Sequence, residues 1–142
     1  MTKKAFAEPW LIHFFQRHVN DDGSRTVPAM SFLDACPASV AATMQAVLEA
    51  VAAAPPPSFS GGGKWETMHG GMSGIYEVRD SYGGFNYRLF CLLERNAPDL
   101  GGPSIVVLGG FAKPRRSPAA ARDYQLIRRW AGEFARRRTV LR

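Results

Sequence analysis

Three consecutive prolines, Pro55-Pro56-Pro57, separate a helical stretch of this chain from a run of strands. No helix continues through them, because proline lacks the amide hydrogen and its ring clashes with the preceding turn. Before them, Val40, Met44, Val47, Leu48 and Val51 recur at helical spacing, which predicts a helix from an N-cap at Ser39 to about Ala53. Pro28 opens a shorter helical segment, Ala29 to Leu33, at the position where its missing N–H is harmless. Ahead of both, the aromatic run Trp10 to Phe15 reads as a strand that ends at the polar turn Asn20-Asp21-Asp22-Gly23.

Beyond the prolines, Ser58 to Gly63 reads as a connector and three strands follow. Gly74 to Arg79 places Tyr76 and Val78 on one face, with Glu77 and Arg79 on the other. Asp80 to Asn86, with Gly83-Gly84 inside it, is expected to be a turn into the strand Tyr87 to Leu93. After the Gly/Pro loop Asn96 to Pro103, the unbroken apolar run Ile105 to Leu108 suggests a central buried strand. Ser117-Pro118 is expected to cap a last helix, whose residues Ala120, Tyr124, Ile127, Ala131 and Phe134 form one apolar stripe. The order predicts an α+β domain, with helices packed against an antiparallel sheet. A length of 142 residues suits one domain, with residues 117–142 as its basic C-terminal helix and tail.

Charge narrows the function more than composition does. Ten of the eighteen basic residues, but only two of the twelve acidic ones, follow residue 112, so the whole net charge of +6 arises there. Charge gathered in this way points to an anionic partner, nucleic acid above all. Arg122, Arg129 and Arg136, seven apart, share a face of the last helix. Cys36 and Cys91 lie far apart and outside any Cys/His cluster, so they read as small buried hydrophobes, with no metal or cofactor implied. The longest apolar stretch, Val40 to Ala54, carries Gln45 and Glu49 and is too short to cross a bilayer. With no targeting segment evident, a cytoplasmic chain without a membrane partner is expected.

Four short series now stand in order: Gly74-Ile75-Tyr76-Glu77-Val78-Arg79, Tyr87-Arg88-Leu89-Phe90, Val107-Leu108-Gly109-Gly110-Phe111-Ala112-Lys113, and Ser117-Pro118. Together they resemble the HigB-like, phage-associated branch of the RelE/ParE toxin superfamily, over about Trp10 to Ala131. Pro114 stands where that pattern has a second lysine, and Gly109 where a histidine often precedes Gly-Phe. The resemblance implies a RelE-like fold and the toxin of a type II toxin–antitoxin system. Such a toxin is a ribosome-dependent mRNA endonuclease, held silent by an antitoxin of helix-turn-helix type. A non-catalytic nucleic-acid-binding or phage accessory protein, and a ParE-like gyrase inhibitor, are the alternatives on the same scaffold.

Cleavage by the ribose 2′-OH builds negative charge on a phosphorane, so fixed cations must flank it and proton carriers must serve the two oxygens. The catalytic candidates are Arg88 as phosphate clamp, with Lys113 and Arg79 beside it, and Glu77 as base or as charge partner to the arginines. Arg115, Arg116, Arg122, Arg129, Arg136 and His69 are the candidates for holding RNA. Tyr124 could face either the core or a substrate, and Trp65 and Tyr82 could stack on bases or pack over a helix.

Overall fold

The computed structural model describes residues 8–54 and 63–142. The elements run β1 (Leu11–Phe14), α1 (Pro28–Ala35), α2 (Ala38–Ala53), β2 (Trp65–Thr67), β3 (Ile75–Tyr82), β4 (Phe85–Glu94), β5 (Ser104–Pro114) and α3 (Ala121–Arg137). The proline run and most of the connector after it lie outside the described residues. The class is the expected α+β, with three helices and a mostly antiparallel five-stranded sheet in the order β1-β5-β4-β3-β2.

Both core layers follow from side-chain alternation. Val78, Leu89, Cys91, Ile105 and Val107 point to one face, where the stripe Val40, Met44, Leu48 and Val51 of α2 and Ala29 of α1 bury them. Ile75, Phe90, Val106 and Leu108 point to the other, under Ile127 and Phe134 of α3. Each of these large side chains, fully buried, stabilises the fold by about 1.5–3 kcal/mol.

Several expectations are corrected. The sheet is not purely antiparallel, because β1 pairs in parallel with β5, Leu11 opposite Ser104 and Phe14 opposite Val107. That pairing joins segments some ninety residues apart, and no local pattern encodes its direction. The stretch around Trp65 is a strand, antiparallel to β3 with Trp65 opposite Val78, but three residues are too few for alternation to show. The β3–β4 turn is only Gly83-Gly84, both with positive φ, as a two-residue type I′ hairpin requires. The polar residues Asp80 to Tyr82 and Asn86 are therefore paired strand rather than loop. The last strand continues past Leu108 to Pro114.

The two expected caps are absent. Pro37 precedes α2, leaving Ser39 inside it, and α3 starts after Ala120, three residues later than Ser117-Pro118 proposes; neither helix has a side-chain cap bond. The glycine pair in β5 has a packing cause. A Cβ on Gly109 would collide with the Trp130 ring of α3, and one on Gly110 with the Arg88 carbonyl and the Phe32 ring of α1. Two helices thus approach opposite faces of the sheet at consecutive residues. Gly109 sits where no side chain fits.

The basic tail is fastened down. Leu141 N donates to the Phe14 carbonyl at 2.8 Å, and Gln16 N to that of Thr139 at 3.1 Å, which lays the last residues along the chain leaving β1. Arg138 is clamped by Asp99 and Glu94 and lies over the Phe134 ring at 5.1 Å. Among the described residues, no helix is long and apolar enough to cross a membrane.

Candidate functional site

The exposed end of the β3–β4–β5 meander gathers the charged residues singled out above. Arg79 lies directly opposite Arg88, Glu77 opposite Phe90, and Phe111 opposite Arg88 on the other side. Alternation puts all of them on the α3 face of the sheet. Two like charges directly opposed across a hairpin destabilise it unless an anion intervenes. Glu77 supplies that anion, with Oε1 3.2 Å from Arg79 Nε and Oε2 3.7 Å from Arg88 Nη1.

The cluster is unevenly wetted. Glu77 is 4% exposed, and the Arg88 side chain 17% against 46% for Arg79. Burial pushes the Glu77 carboxyl above the ordinary glutamate range, while Arg88, Arg79 and Lys113 pull it back. Glu77 Oε2 and Arg88 Nε are both buried without a hydrogen-bond partner. Such orphaned groups cost about 1–3 kcal/mol each, more when charged, and here they leave one donor and one acceptor open to water or to a ligand.

Tyr124 closes the site from above. It stands in the first turns of α3, edge-on to Phe90 at 6.2 Å and to Phe111 at 5.5 Å, and those two rings stack at 5.3 Å. Packing fixes its direction, so that its hydroxyl accepts from Arg88 Nη1 at 3.1 Å. The residue serves core and site at once, and the helical stripe alone shows only the first role.

On the far side of Tyr124, an open cleft of about 340 Å³ is lined by Met68, His69, Met72, Tyr124 and Arg128. His69 therefore belongs to the site's surroundings. Arg128, absent from the sequence candidates, contributes a wall, with Nη1 3.7 Å from Met72 Sδ. Its spacing of four from Tyr124 was a usable signal for the same helix face. Lys113 also lies on this face of the sheet, opposite Asn86, and its Nζ donates to the Ser117 carbonyl at 2.8 Å. Arg115 and Arg116 are exposed in the turn that follows, and no carboxylate among the described residues pairs with either.

The arginine stripe is held apart from this cluster. Arg122, Arg129 and Arg136 are exposed on the outer face of α3, turned away from the sheet that Ile127 and Phe134 cover. Arg129 also lies 3.5 Å from Glu133, a 2%-exposed carboxylate that Arg17 grips in bidentate fashion at 2.9 and 3.0 Å. Of the remaining aromatic candidates, Trp65 is buried and stacked on Tyr76 at 5.3 Å, whereas Tyr82 is exposed at the hairpin tip. Among the described residues, no group of three or more His, Cys, Asp or Glu side chains is placed to hold a metal ion.

No model of a known protein family matches this chain, and no curated protein does. Among solved structures, the chain is similar to one in the crystal structure of the toxin–antitoxin complex RelBE2 from Mycobacterium tuberculosis. The TM-score is 0.46 at 15% identity, over 74% of this chain and 92% of that one.

Proposed function

We propose that this chain is the toxin of a toxin–antitoxin pair, an endoribonuclease that needs no metal and cuts mRNA on the ribosome. The observation that carries the reading is the Arg88 site: a mostly buried guanidinium, gripped by Glu77 and Tyr124, with a buried donor unmet. The motif series around it supports the same reading.

In the proposed reaction a ribose 2′ oxygen attacks the adjacent phosphorus, a cyclic phosphate forms, and the 5′ oxygen leaves. Arg88 meets the charge that develops on the non-bridging oxygens, and Arg79 and Lys113 add to the field. Glu77 is too enclosed to touch RNA. It acts as a positioning residue, keeping two opposed guanidiniums together before substrate arrives. The Tyr124 hydroxyl already accepts a bond from Arg88, so its own proton remains available to the leaving oxygen. His69 lines the cleft on the far side of Tyr124 and is proposed as the acceptor for the 2′ proton. With so few proton carriers, the ribosome has to supply positioning of the message. The antitoxin is proposed to lay carboxylates or a helix against Arg88, Lys113 and Arg115, and to carry the DNA-binding fold itself.

Arg88→Ala tests this directly. Removing one preorganised donor costs roughly 10²–10³ in rate, so cleavage of mRNA on translating ribosomes and growth arrest should both fall by about that factor. Full cleavage by a natively folded Arg88→Ala chain, checked by circular dichroism, would overturn the assignment. Growth arrest without any mRNA cleavage would move the reading to a gyrase inhibitor or a non-catalytic binder.

A further inference from the structure

The reverse face of the same hairpin carries a feature that the cleavage site does not use. By alternation, Tyr82 and Phe85 point away from Arg88, to the face that α1 and α2 cover further along the strands. The helices stop short of the tip, and the two residues remain 55% and 43% exposed. They form a cross-strand pair closed by Gly83-Gly84, and exposed Pro114 lies opposite Phe85. Among the described residues, neither ring contacts another aromatic side chain. Two exposed rings paired across one short turn form a small apolar patch at the tip of the hairpin.

Charge indicates what covers them. Arg115 N donates to the Gly84 carbonyl at 2.9 Å, which pins the Arg115-Arg116 turn against the hairpin tip. Both arginines are exposed and lack carboxylate partners among the described residues. Two exposed rings on a tip to which two unpaired arginines are tied by the backbone match the chemistry of unpaired nucleotides, with rings under the bases and cations along the phosphates. We propose that Tyr82, Phe85, Arg115 and Arg116 form a second binding site, one that takes a single-stranded RNA segment by base stacking. Arg88 is three residues from Phe85, about 10 Å along the strand, so one RNA strand can pass Lys113, round the tip, and lay its next bases on the reverse face. Only that continuity with the cut rests on the proposed nuclease; stacking itself does not.

The test is the affinity of wild type and variants for a short labelled single-stranded RNA, and for its duplex, by fluorescence anisotropy at fixed salt. Tyr82→Ala with Phe85→Ala should weaken the single strand by at least about fivefold per ring and leave the duplex unchanged, since its bases are already stacked. Tyr82→Leu with Phe85→Leu, which keeps apolar area but not the ring faces, should lose the same preference. Arg115→Ala with Arg116→Ala should lower the slope of log affinity against log salt by about 0.7 for each phosphate no longer neutralised. Unchanged single-strand affinity in both ring variants, with native circular dichroism, overturns the proposal. So does loss of self-association or antitoxin binding in the ring variants with RNA affinity intact, since the face would then be a protein interface. If the ring variants lose RNA as expected while wild type cuts nothing on ribosomes, this site stands and the nuclease reading falls.

Discussion

Replacing Gly109 by alanine puts a methyl group where the Trp130 ring lies. The added carbon would collide with Trp130 Cζ3, with Cε3 at 2.9 Å and Pro28 Cβ at 3.2 Å close behind. Gly109 does not have positive φ, so the backbone itself accepts alanine and the whole penalty is steric. Overpacking a filled site costs about 1–3 kcal/mol, and a ring is less able to yield than a flexible chain, so about 2–3 kcal/mol is expected. For a chain of this size each kcal/mol lowers Tm by about 2–4 °C, a fall of roughly 4–12 °C. Trp130→Ala alone is also destabilising, because half-buried indole surface is lost. With the ring gone, however, only Pro28 Cβ at 3.2 Å still crowds alanine at 109, which also replaces a glycine in a strand interior, worth about 0.5–1 kcal/mol. A double-mutant cycle by chemical denaturation should therefore give a coupling of at least about 2 kcal/mol in favour of the double variant. Additive effects within about 0.5 kcal/mol would refute the argument that Gly109 exists to admit Trp130.

The other expected outcomes concern charge. Glu77→Gln should change the pH dependence of stability: a folded pKa raised by burial means that the folded chain binds this proton more tightly than the unfolded one. The carboxylate is then a growing cost as pH rises above the ordinary glutamate value of about 4.3. Tm measured against pH should show the glutamine variant gaining on wild type across that rise, while cleavage falls as Arg88 and Arg79 lose their fixed anion; a constant gap contradicts the sign. Arg17→Ala leaves Glu133 buried with only the exposed Arg129 nearby, and should cost about 3 kcal/mol in urea unfolding. A loss under 1 kcal/mol would place the pair among ordinary surface contacts. Neutralising Arg122, Arg129 and Arg136 together should lower the salt slope of RNA binding by about 2 if all three meet phosphates. An unchanged slope assigns them to a solvated helix face.

The legible parts of the site were those with a strand or helix period behind them. Glu77 and Arg79 share a face two residues apart, and Arg88 interrupts an apolar strand, so each stands out in the sequence. Their mutual placement did not. Whether Arg88 would oppose Arg79, Glu77 or neither depended on the length of the hairpin turn, and the true turn is two residues where the polar composition of Asp80 to Asn86 suggested seven. Shifting the pairing by one residue would have sent Arg88 to the other face. Tyr124 and Arg128 were obscured for a different reason. A helical stripe shows which side of α3 is covered, but not that its first turns overhang the open end of the sheet, where covering side chains become site walls.

What the sequence determined by itself lies within what neighbours a few residues away govern, the helix caps and the β3–β4 turn excepted. This includes the helix of Val40 to Val51, the apolar stripe of α3, the strands around Tyr76 and Leu89, the opposite facing of Val78 and Arg79, and the concentration of positive charge after residue 112. Tertiary structure alone decided what depends on residues far apart in the chain. It set the parallel partner of β1, recruited the short strand at Trp65, brought α3 so close that Gly109 can bear no side chain, and tied Arg138 to Asp99 and Glu94 instead of leaving it in solvent. The dividing line is physical. Periodicity records which way a side chain points relative to its own backbone. The partner it meets is set by packing between elements, and in these cases by contacts across some ten to over ninety residues of chain.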